Sequence, residues 1–210
     1  MSATIVLSSA YLGPVEYYSK IFHYKTVVEQ FEHYTKQSYF NHCHIATPKG
    51  VLALSIPVVK ESGKTPIRDI KISEHAPWQR THWRAIKSAY STTPFFEYYA
   101  DDLIPFFEKR WDFLLDFNMS IQTTILELLG LDISINLTDN YETDFDDKKD
   151  WRNKIHPKNN YNIENGFIIN HYYQVFMDKT GFIPNLSIID LLFNMGNEAR
   201  IILKNSEKLN

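Results

Sequence analysis

Hydrophobic residues in the first third of the chain alternate between short continuous runs and a helical repeat. Residues 4–7 form a short apolar run, which is typical of a buried strand. Tyr18, Ile21 and Phe22 then recur at helical spacing, and a β-branched run follows over residues 26–28. Because strand, helix and strand follow one another closely, the pattern predicts a right-handed, parallel βαβ unit at the start of the chain.

The next apolar segments indicate a β-hairpin. Residues 44–47 and 51–59 flank a Pro-Lys-Gly turn signal at residues 48–50, and apolar side chains alternate along the second segment. Isoleucines spaced over residues 67–72 predict another short strand. We therefore expect a mixed sheet rather than a wholly parallel one.

The middle of the chain is predicted to be helical. Apolar residues recur at helical spacing over residues 77–91, 94–110 and 113–129. Pro105 lies inside the second of these segments, where it is expected to kink or divide the helix. Gly130 follows the third segment at the position of a C-terminal cap.

The last third of the chain changes from polar to apolar. Alternation over residues 133–137 predicts a strand, and the polar, partly acidic residues 138–165 predict a long surface loop. Helical patterns return over residues 185–195 and 197–204.

These elements predict one α/β domain over residues 1–210, because the chain shows neither an internal repeat nor a clean linker. The expected fold class is a mixed, partly parallel sheet that starts with the βαβ unit, followed by a helical middle and C-terminal helices.

Composition narrows the classes of protein to consider. Hydrophobic residues make up 44% of the 210 residues, which excludes disorder, and the net charge of -3 disfavours a nucleic-acid binder. The single cysteine, Cys43, excludes an internal disulfide framework and fits a reducing compartment. No apolar run is long enough to span a membrane. We expect a cytoplasmic protein without membrane insertion.

The richest candidate chemistry lies in residues 27–45, just past the second predicted strand. Open α/β sheets bind ligands outside the carboxyl ends of their strands. Glu32, His33 and Lys36 supply a carboxylate, an imidazole and an ammonium, which suit acid–base chemistry or phosphate binding. The alternative is a solvated loop whose charges cluster by chance.

Two further sets of residues have simpler explanations. His33, His42 and His44 could bind zinc, but three ordinary histidines near a loop explain them better, and we predict no metal site. Arg80 belongs to a basic stripe that could bind an anion. Alternatively, the stripe is only the solvent-exposed face of a helix. Glycine-rich phosphate loops and other catalytic motifs are absent from the sequence.

Several segments together resemble the WbqC-like family of bacteria, whose genes are often found among those for surface polysaccharide. The resemblance covers nearly the whole chain. The segments that carry it are residues 9–14 and 17–20, Tyr34, Lys36, Asn41, Ile45, Pro57, Val58, Trp78, Arg80, His82, Tyr90, Pro94, Phe96 and the long string over residues 184–196.

The resemblance implies a role in making or modifying a sugar building block, with transfer of an acyl or aminoacyl group to a nucleotide-linked amino sugar as one form of it. Glu32, His33 and Lys36 are then the expected catalytic residues. The expected binding residues for an activated sugar or similar anionic metabolite are Tyr34, Asn41, Trp78, Arg80, His82, Asn185 and Asp190. For Asp190, a position in the first turn of a helix is an alternative explanation. The cofactor is left open.

The chain also departs from the family pattern. Gln30 and Phe31 stand where many members carry an acidic pair, and the glycine-rich segment of many members is not visible. These departures favour an alternative, a binding or assembly protein without catalysis, in which the many aromatic side chains serve a protein partner or a homo-oligomer. An enzyme predicts that Glu32, His33, Lys36 and Arg80 converge in one cleft, whereas their dispersal over a convex surface predicts the binding or assembly protein.

Overall fold

The βαβ unit at the start of the chain is present. The computed structural model describes residues 4–59, 64–141, 143, 148–152, 154–158 and 166–208, so part of the predicted loop at residues 138–165 lies outside the described residues. Strand β1 (Thr4–Ser8) is followed by helix α1 (Val15–His23) and strand β2 (Lys25–Glu29). The two strands pair in parallel, from Thr4 opposite Lys25 to Ser8 opposite Glu29.

Two further strands complete a four-stranded parallel sheet. Strand β5 (Asn136–Leu137) pairs with β2, and strand β6 (Lys148–Asp150) pairs with β1, which gives the order β5-β2-β1-β6. Strands β2 and β5 therefore lie on one side of β1, and the last strand, β6, lies on the other side. The carboxyl ends of β1 and β6 form a topological switch point, the position where open α/β sheets bind their ligands.

The predicted hairpin is also present. Strands β3 (His42–Thr47) and β4 (Gly50–Ser55) pair antiparallel as a separate two-stranded sheet. The prediction of a strand over residues 67–72 is wrong. Ile67–Asp69 forms a 3₁₀ turn, and Ile72 makes only an isolated bridge to Val58. The isoleucines are spaced to fill the core, and their burial does not require a strand.

The helical middle matches the prediction. It consists of α2 (Trp78–Tyr90), α3 (Phe96–Glu108) and α4 (Leu114–Leu128). Pro105 does not divide α3, which continues to Glu108. Gly130 adopts φ +65° after α4, and its N–H donates to the Glu127 carbonyl over 2.8 Å, as a left-handed C-terminal cap requires.

The C-terminal part adds helices α5 (Met177–Thr180), α6 (Ile188–Met195) and α7 (Ala199–Asn205). Helices α6 and α7 pack against α1. The buried core is continuous between these helices, the parallel sheet and the helical middle. The mixed α/β class expected from the sequence is confirmed.

Strand β6 is the main element that the sequence pattern does not reveal. It lies in the polar segment predicted as a loop, and it is only three residues long. Its ladder continues one residue further, because the Trp151 N–H donates to the Val6 carbonyl over 2.9 Å. This strand completes the switch point.

Candidate functional site

Polar side chains meet at the carboxyl edge of the parallel sheet. Ser8 ends β1, Glu29 ends β2, Asp150 ends β6, and Thr138 directly follows β5. Parallel pairing brings these strand ends to one edge. The candidate site is therefore built by the topology of the sheet.

Arg152 is held firmly at this edge. Its Nε lies 3.0 Å from Asp150 Oδ1 and its Nη2 lies 2.9 Å from Asp150 Oδ2, which is a bidentate pair. Its Nη1 lies 3.5 Å from Oε2 of the fully buried Glu29. Partial burial raises the pKa of Asp150, but the hydrogen bonds and charge of Arg152 outweigh it and hold that pKa below its usual range. The Arg152 guanidinium is thus shared between the carboxyl groups of Asp150 and Glu29.

Glu29 has a full set of partners. The Thr138 hydroxyl donates to Glu29 Oε1 over 2.8 Å, and the Phe31 N–H donates to the same oxygen over 2.9 Å. Together with Arg152, these contacts hold the Glu29 side chain in place against the strand ends.

Glu32 is different, because its carboxyl group is buried and no cation of the described residues forms an ion pair with it. The Ser8 hydroxyl donates to Glu32 Oε2 over 3.1 Å, whereas Oε1 has no hydrogen-bond partner among the described residues. Burial raises the pKa of Glu32 to about 8; Ser8 and Arg152 oppose the rise, and the charges of Glu29 and Asp150 add to it. A carboxyl group of this kind holds a proton near neutral pH and can release it.

Helix α4 extends polar groups toward the same place. Asn118 Nδ2 donates to Ser9 Oγ and to the Phe40 carbonyl, both over 2.8 Å, and one turn later Gln122 lies beside Tyr17. The Tyr17 hydroxyl in turn donates to the Ser8 carbonyl over 3.0 Å.

A small crevice opens at the switch point beside Ser8, Tyr17 and Arg152. It offers about 10 Å³ of space, enough for one water-sized group. Its lining comes from the ends of β1 and β6, α1 and two loops: Leu7, Ser8, Ser9, Ala10, Tyr17, Tyr39, Trp151, Arg152 and Ile155.

The first turn of α1 is not available as a phosphate site. The Val15 N–H donates to the Leu186 carbonyl over 3.0 Å, and the Glu16 N–H donates to Asn185 Oδ1 over 2.8 Å. Asn185 Nδ2 lies 3.1 Å from the buried carboxylate of Glu16. Because protein groups already occupy these donors, a nucleotide phosphate cannot use the helix terminus as it does in dinucleotide-binding folds.

Among the predicted catalytic residues, only Glu32 lies in the switch-point cluster. His33 and Lys36 are exposed on the following loop, and Arg80 is exposed on α2. None of the contacts of Glu32 within the described residues is with these three side chains. Tyr34 is half-buried and packs on Phe40, with ring centroids 5.9 Å apart.

Trp78 and His82 belong to a buried cluster around Tyr11. The Tyr11 hydroxyl lies 2.9 Å from His82 Nδ1, and the Trp78 ring meets the His82 ring edge-on at 5.2 Å. Burial lowers the pKa of His82 to about 4, and a hydrogen bond to the Ser55 backbone opposes that shift. His82 is therefore a neutral, hydrogen-bonded core residue at neutral pH.

Asn41 and Asp190 are also buried in hydrogen-bond networks. Asn41 Nδ2 donates to the Ile56 carbonyl over 2.7 Å. Asp190 accepts hydrogen bonds from the hydroxyls of Tyr90 and Tyr172, each over 2.9 Å. Burial raises the pKa of Asp190 to about 6 despite these hydrogen bonds. With Asn185, these side chains join separate segments of the fold.

The histidines of the hairpin have partners in the protein. His42 Nδ1 lies 2.7 Å from Asn41 Oδ1, and His44 packs edge-on against Tyr39. No group of three metal-binding side chains forms within the described ranges. Cys43 is fully buried, and burial raises the pKa of its thiol, so it is not poised as a nucleophile.

Comparison with known proteins places the chain in a family. Residues 9–160 match the model of the WbqC-like protein family. The chain is also 29% identical over 191 residues to a protein of Mycobacterium tuberculosis named Uncharacterized protein Rv1507c, a match that covers 79% of this chain and 81% of that protein. No solved structure matches at a significant level. The chain belongs to the WbqC-like family, as the resemblance of its sequence implied.

The family match begins directly after the end of β1 and includes the Glu32 loop and Arg152, but it stops before residues 184–196. Within the described ranges, no helix has the length and apolar character needed to cross a bilayer.

Several residues of the cluster were not predicted as site residues. Asn118 and Gln122 interrupt the apolar face of α4 at i and i+4, and this signal could have identified them. Arg152 and Asp150 carry no such signal, because the strand that positions them is short and lies in polar sequence.

Proposed function

We propose that this protein transfers an acyl or aminoacyl group to a nucleotide-linked sugar or a similar anionic metabolite in the cytoplasm, with Glu32 as the acid–base group. The observation that carries the proposal is the buried Glu32 carboxyl, with one free oxygen, at the switch point of a parallel sheet. Membership of the WbqC-like family, which is associated with polysaccharide gene clusters, supports a sugar substrate.

The chemistry follows from the protonation of Glu32. As a carboxylate, it accepts the proton of an acceptor hydroxyl or amine while that group attacks the acyl carbon. The bond between the acyl carbon and the donor's leaving atom then breaks, and the leaving group departs with the electron pair. Glu32 can return the proton to it. A pKa of about 8 suits this exchange near neutral pH.

The surrounding residues have separate roles in this proposal. Ser8 orients the Glu32 carboxyl through its hydrogen bond. Arg152 fixes Glu29 and Asp150 beside the crevice. Lys36 and Arg80 are exposed, and in this proposal they bind the phosphates of an activated sugar outside the crevice.

A transfer assay with mass-spectrometric detection tests this proposal. The purified protein is incubated with panels of acyl-CoA or aminoacyl donors and nucleotide-linked sugars, and product is sought as an acceptor heavier by one acyl group. Glu32→Gln should abolish product formation. Glu16→Gln is the matched control, because Glu16 is also a buried carboxyl whose pKa burial raises to about 7, but it belongs to the Asn185 contact.

A binding or assembly role is the second candidate. It is supported by the exposed positions of His33, Lys36 and Arg80, which do not join Glu32. Residues 168–177 also expose four large apolar side chains, Ile168, Ile169, Tyr173 and Met177, with exposed fractions between 37% and 50%. If this role is the true one, Glu32→Gln leaves polysaccharide production in cells unchanged. Ile169→Glu combined with Tyr173→Glu removes it, together with any homo-oligomer seen by light scattering.

A further inference from the structure

The crevice at the switch point contains a buried hydrogen-bond donor in its wall. Trp151 lines the crevice directly after β6, and only 8% of its surface is exposed. Its indole Nε1 has no hydrogen-bond partner among the described residues. An indole nitrogen can donate but cannot accept, and buried polar groups are normally satisfied. This N–H therefore indicates that an oxygen atom of a ligand or of water enters the crevice.

Two ammonium groups make this indole a stronger donor. Lys20 Nζ lies 4.0 Å and Lys154 Nζ lies 4.8 Å from the centroid of the Trp151 ring. A cation against the ring polarises its π electrons and leaves the N–H more positive. The position of Lys20 is fixed, because both carboxylate oxygens of the buried Glu207 lie within 2.7 Å of its Nζ. The donor is thus suited to an oxygen that gains negative charge.

The charged groups around the crevice favour the same kind of ligand atom. Arg152 is the one charged residue among the described residues that line the crevice, and its carboxylate partners, Asp150 and Glu29, lie outside that lining. The Glu32 carboxyl also lies outside the lining, and it is protonated near neutral pH because burial raises its pKa. An oxygen that gains negative charge in the crevice therefore lies against a guanidinium and an indole N–H.

We infer that the crevice binds the carbonyl oxygen of the acyl donor, and that the Trp151 indole N–H donates a hydrogen bond to it. This inference rests on the proposed function and adds a catalytic residue to that site. The space of about 10 Å³ accepts one oxygen atom, whereas the terminal oxygens of a phosphate do not fit together. A carbonyl oxygen is therefore the matching ligand atom.

Ser8 links this donor to the acid–base group. Its Oγ lies 3.1 Å from Glu32 Oε2 and 3.3 Å from the carbonyl oxygen of Arg152, the residue after Trp151. Ser8 itself lines the crevice. The indole and the Glu32 carboxyl are thus both tied to the same strand end.

The indole acts when the acyl carbon is attacked. The acceptor's lone pair forms the new bond to that carbon, and the π electrons of the carbonyl move onto its oxygen. The Trp151 N–H stabilises the resulting negative charge, while Glu32 takes the acceptor's proton. The carbonyl then re-forms and the bond to the leaving atom breaks. The leaving group departs with the electron pair and receives the proton from Glu32.

Nuclear magnetic resonance of the indole N–H groups tests the binding of the carbonyl oxygen on the whole chain. The Trp151 signal is identified with Trp151→Phe. It is then followed during addition of acetyl-CoA or of S-ethyl-CoA, a thioether that carries a methylene in place of the carbonyl. We expect acetyl-CoA to move the Trp151 signal downfield and S-ethyl-CoA to leave it in place. Equal effects of the two compounds, or no shift with either, overturn the inference.

Trp151→Phe also tests the catalytic role, because it keeps an aromatic ring for the two ammonium groups and removes the N–H. In the transfer assay its kcat should fall about 10²–10³-fold, as expected for the loss of one donor to an oxyanion, while the KM for the donor changes little. Trp83→Phe is the matched control. Trp83 stacks with Phe96 and Phe107 away from the crevice lining, so this variant should retain the wild-type kcat.

This inference and the proposed function fail separately. If Trp151→Phe keeps the wild-type kcat while Glu32→Gln is inactive, the inference is overturned and the proposed function stands. If no donor gives product but acetyl-CoA alone moves the Trp151 signal, the carbonyl site is retained and the proposed function fails.

Discussion

The Ser8 hydroxyl donates a hydrogen bond to Glu32 Oε2 over 3.1 Å and thereby ties the end of the first strand to a buried carboxyl group. The other oxygen of that carboxyl has no partner among the described residues. One oxygen is thus held by the fold and the other is left for a ligand, which is the arrangement expected of an acid–base group.

Replacing Glu32 with Gln should increase stability at neutral pH and remove activity. The pKa of Glu32 is about 8 in the folded protein and the ordinary value is 4.5, so its contribution to stability is complete below pH 4.5 and is lost as pH rises toward 8. Between pH 4.5 and 7 the loss is about 3 kcal/mol. Urea unfolding of the wild-type protein and of Glu32→Gln at several pH values measures this loss. If the free energy of unfolding depends on pH equally in the two proteins, Glu32 is not the buried carboxyl with the raised pKa.

Ser8→Ala should shift the pH dependence of transfer upward. The hydrogen bond from Ser8 favours the ionised Glu32, so its loss raises the pKa of that carboxyl further. The rate of transfer should then reach its plateau at a higher pH, while stability falls by only about 1 kcal/mol. Ser88→Ala, an exposed serine on α2, is the control. A lower rate with an unmoved pH profile indicates a purely structural Ser8.

Arg152→Met should destabilise the protein strongly. It leaves the fully buried Glu29 without its cation, and breaking a buried ion pair costs about 3–5 kcal/mol. Chemical unfolding measures the loss. The double variant with Glu29→Gln should recover much of it, because the uncompensated charge is then removed. A double variant no more stable than Arg152→Met contradicts this account of the pair.

His82 should make the protein sensitive to mild acid. Burial lowers its pKa to about 4 from the ordinary 6.5, so unfolding is favoured as the unfolded chain takes up a proton. Stability present above pH 6.5 is lost progressively down to pH 4, by about 3 kcal/mol. In His82→Asn, thermal unfolding should show less of this loss. If both proteins lose stability equally over this range, the buried neutral His82 is not the cause.

The sequence predicted the strands that build the site better than the residues that form it. The βαβ pattern correctly placed a strand end before Glu32, because buried parallel strands leave a clear apolar signal. The exposed His33 and Lys36 looked equally suitable, since spacing along a loop does not reveal which side chain turns inward.

The other residues of the site are brought there by tertiary structure. Asp150 and Arg152 reach the crevice only because a three-residue strand pairs with β1, and so short a strand is stabilised by its neighbour rather than by its own pattern. Asn118 and Gln122 lie on a helix that the sequence predicted correctly, and only their interruption of its apolar face indicates that they are polar groups facing inward.

The most direct measurement is a titration of the Glu32 carboxyl by carbon-detected magnetic resonance, with the signal assigned through Glu32→Gln. We expect a midpoint near pH 8 in the free protein, because burial raises this pKa. A midpoint near 4.5 in the free protein contradicts a buried acid–base group at the switch point.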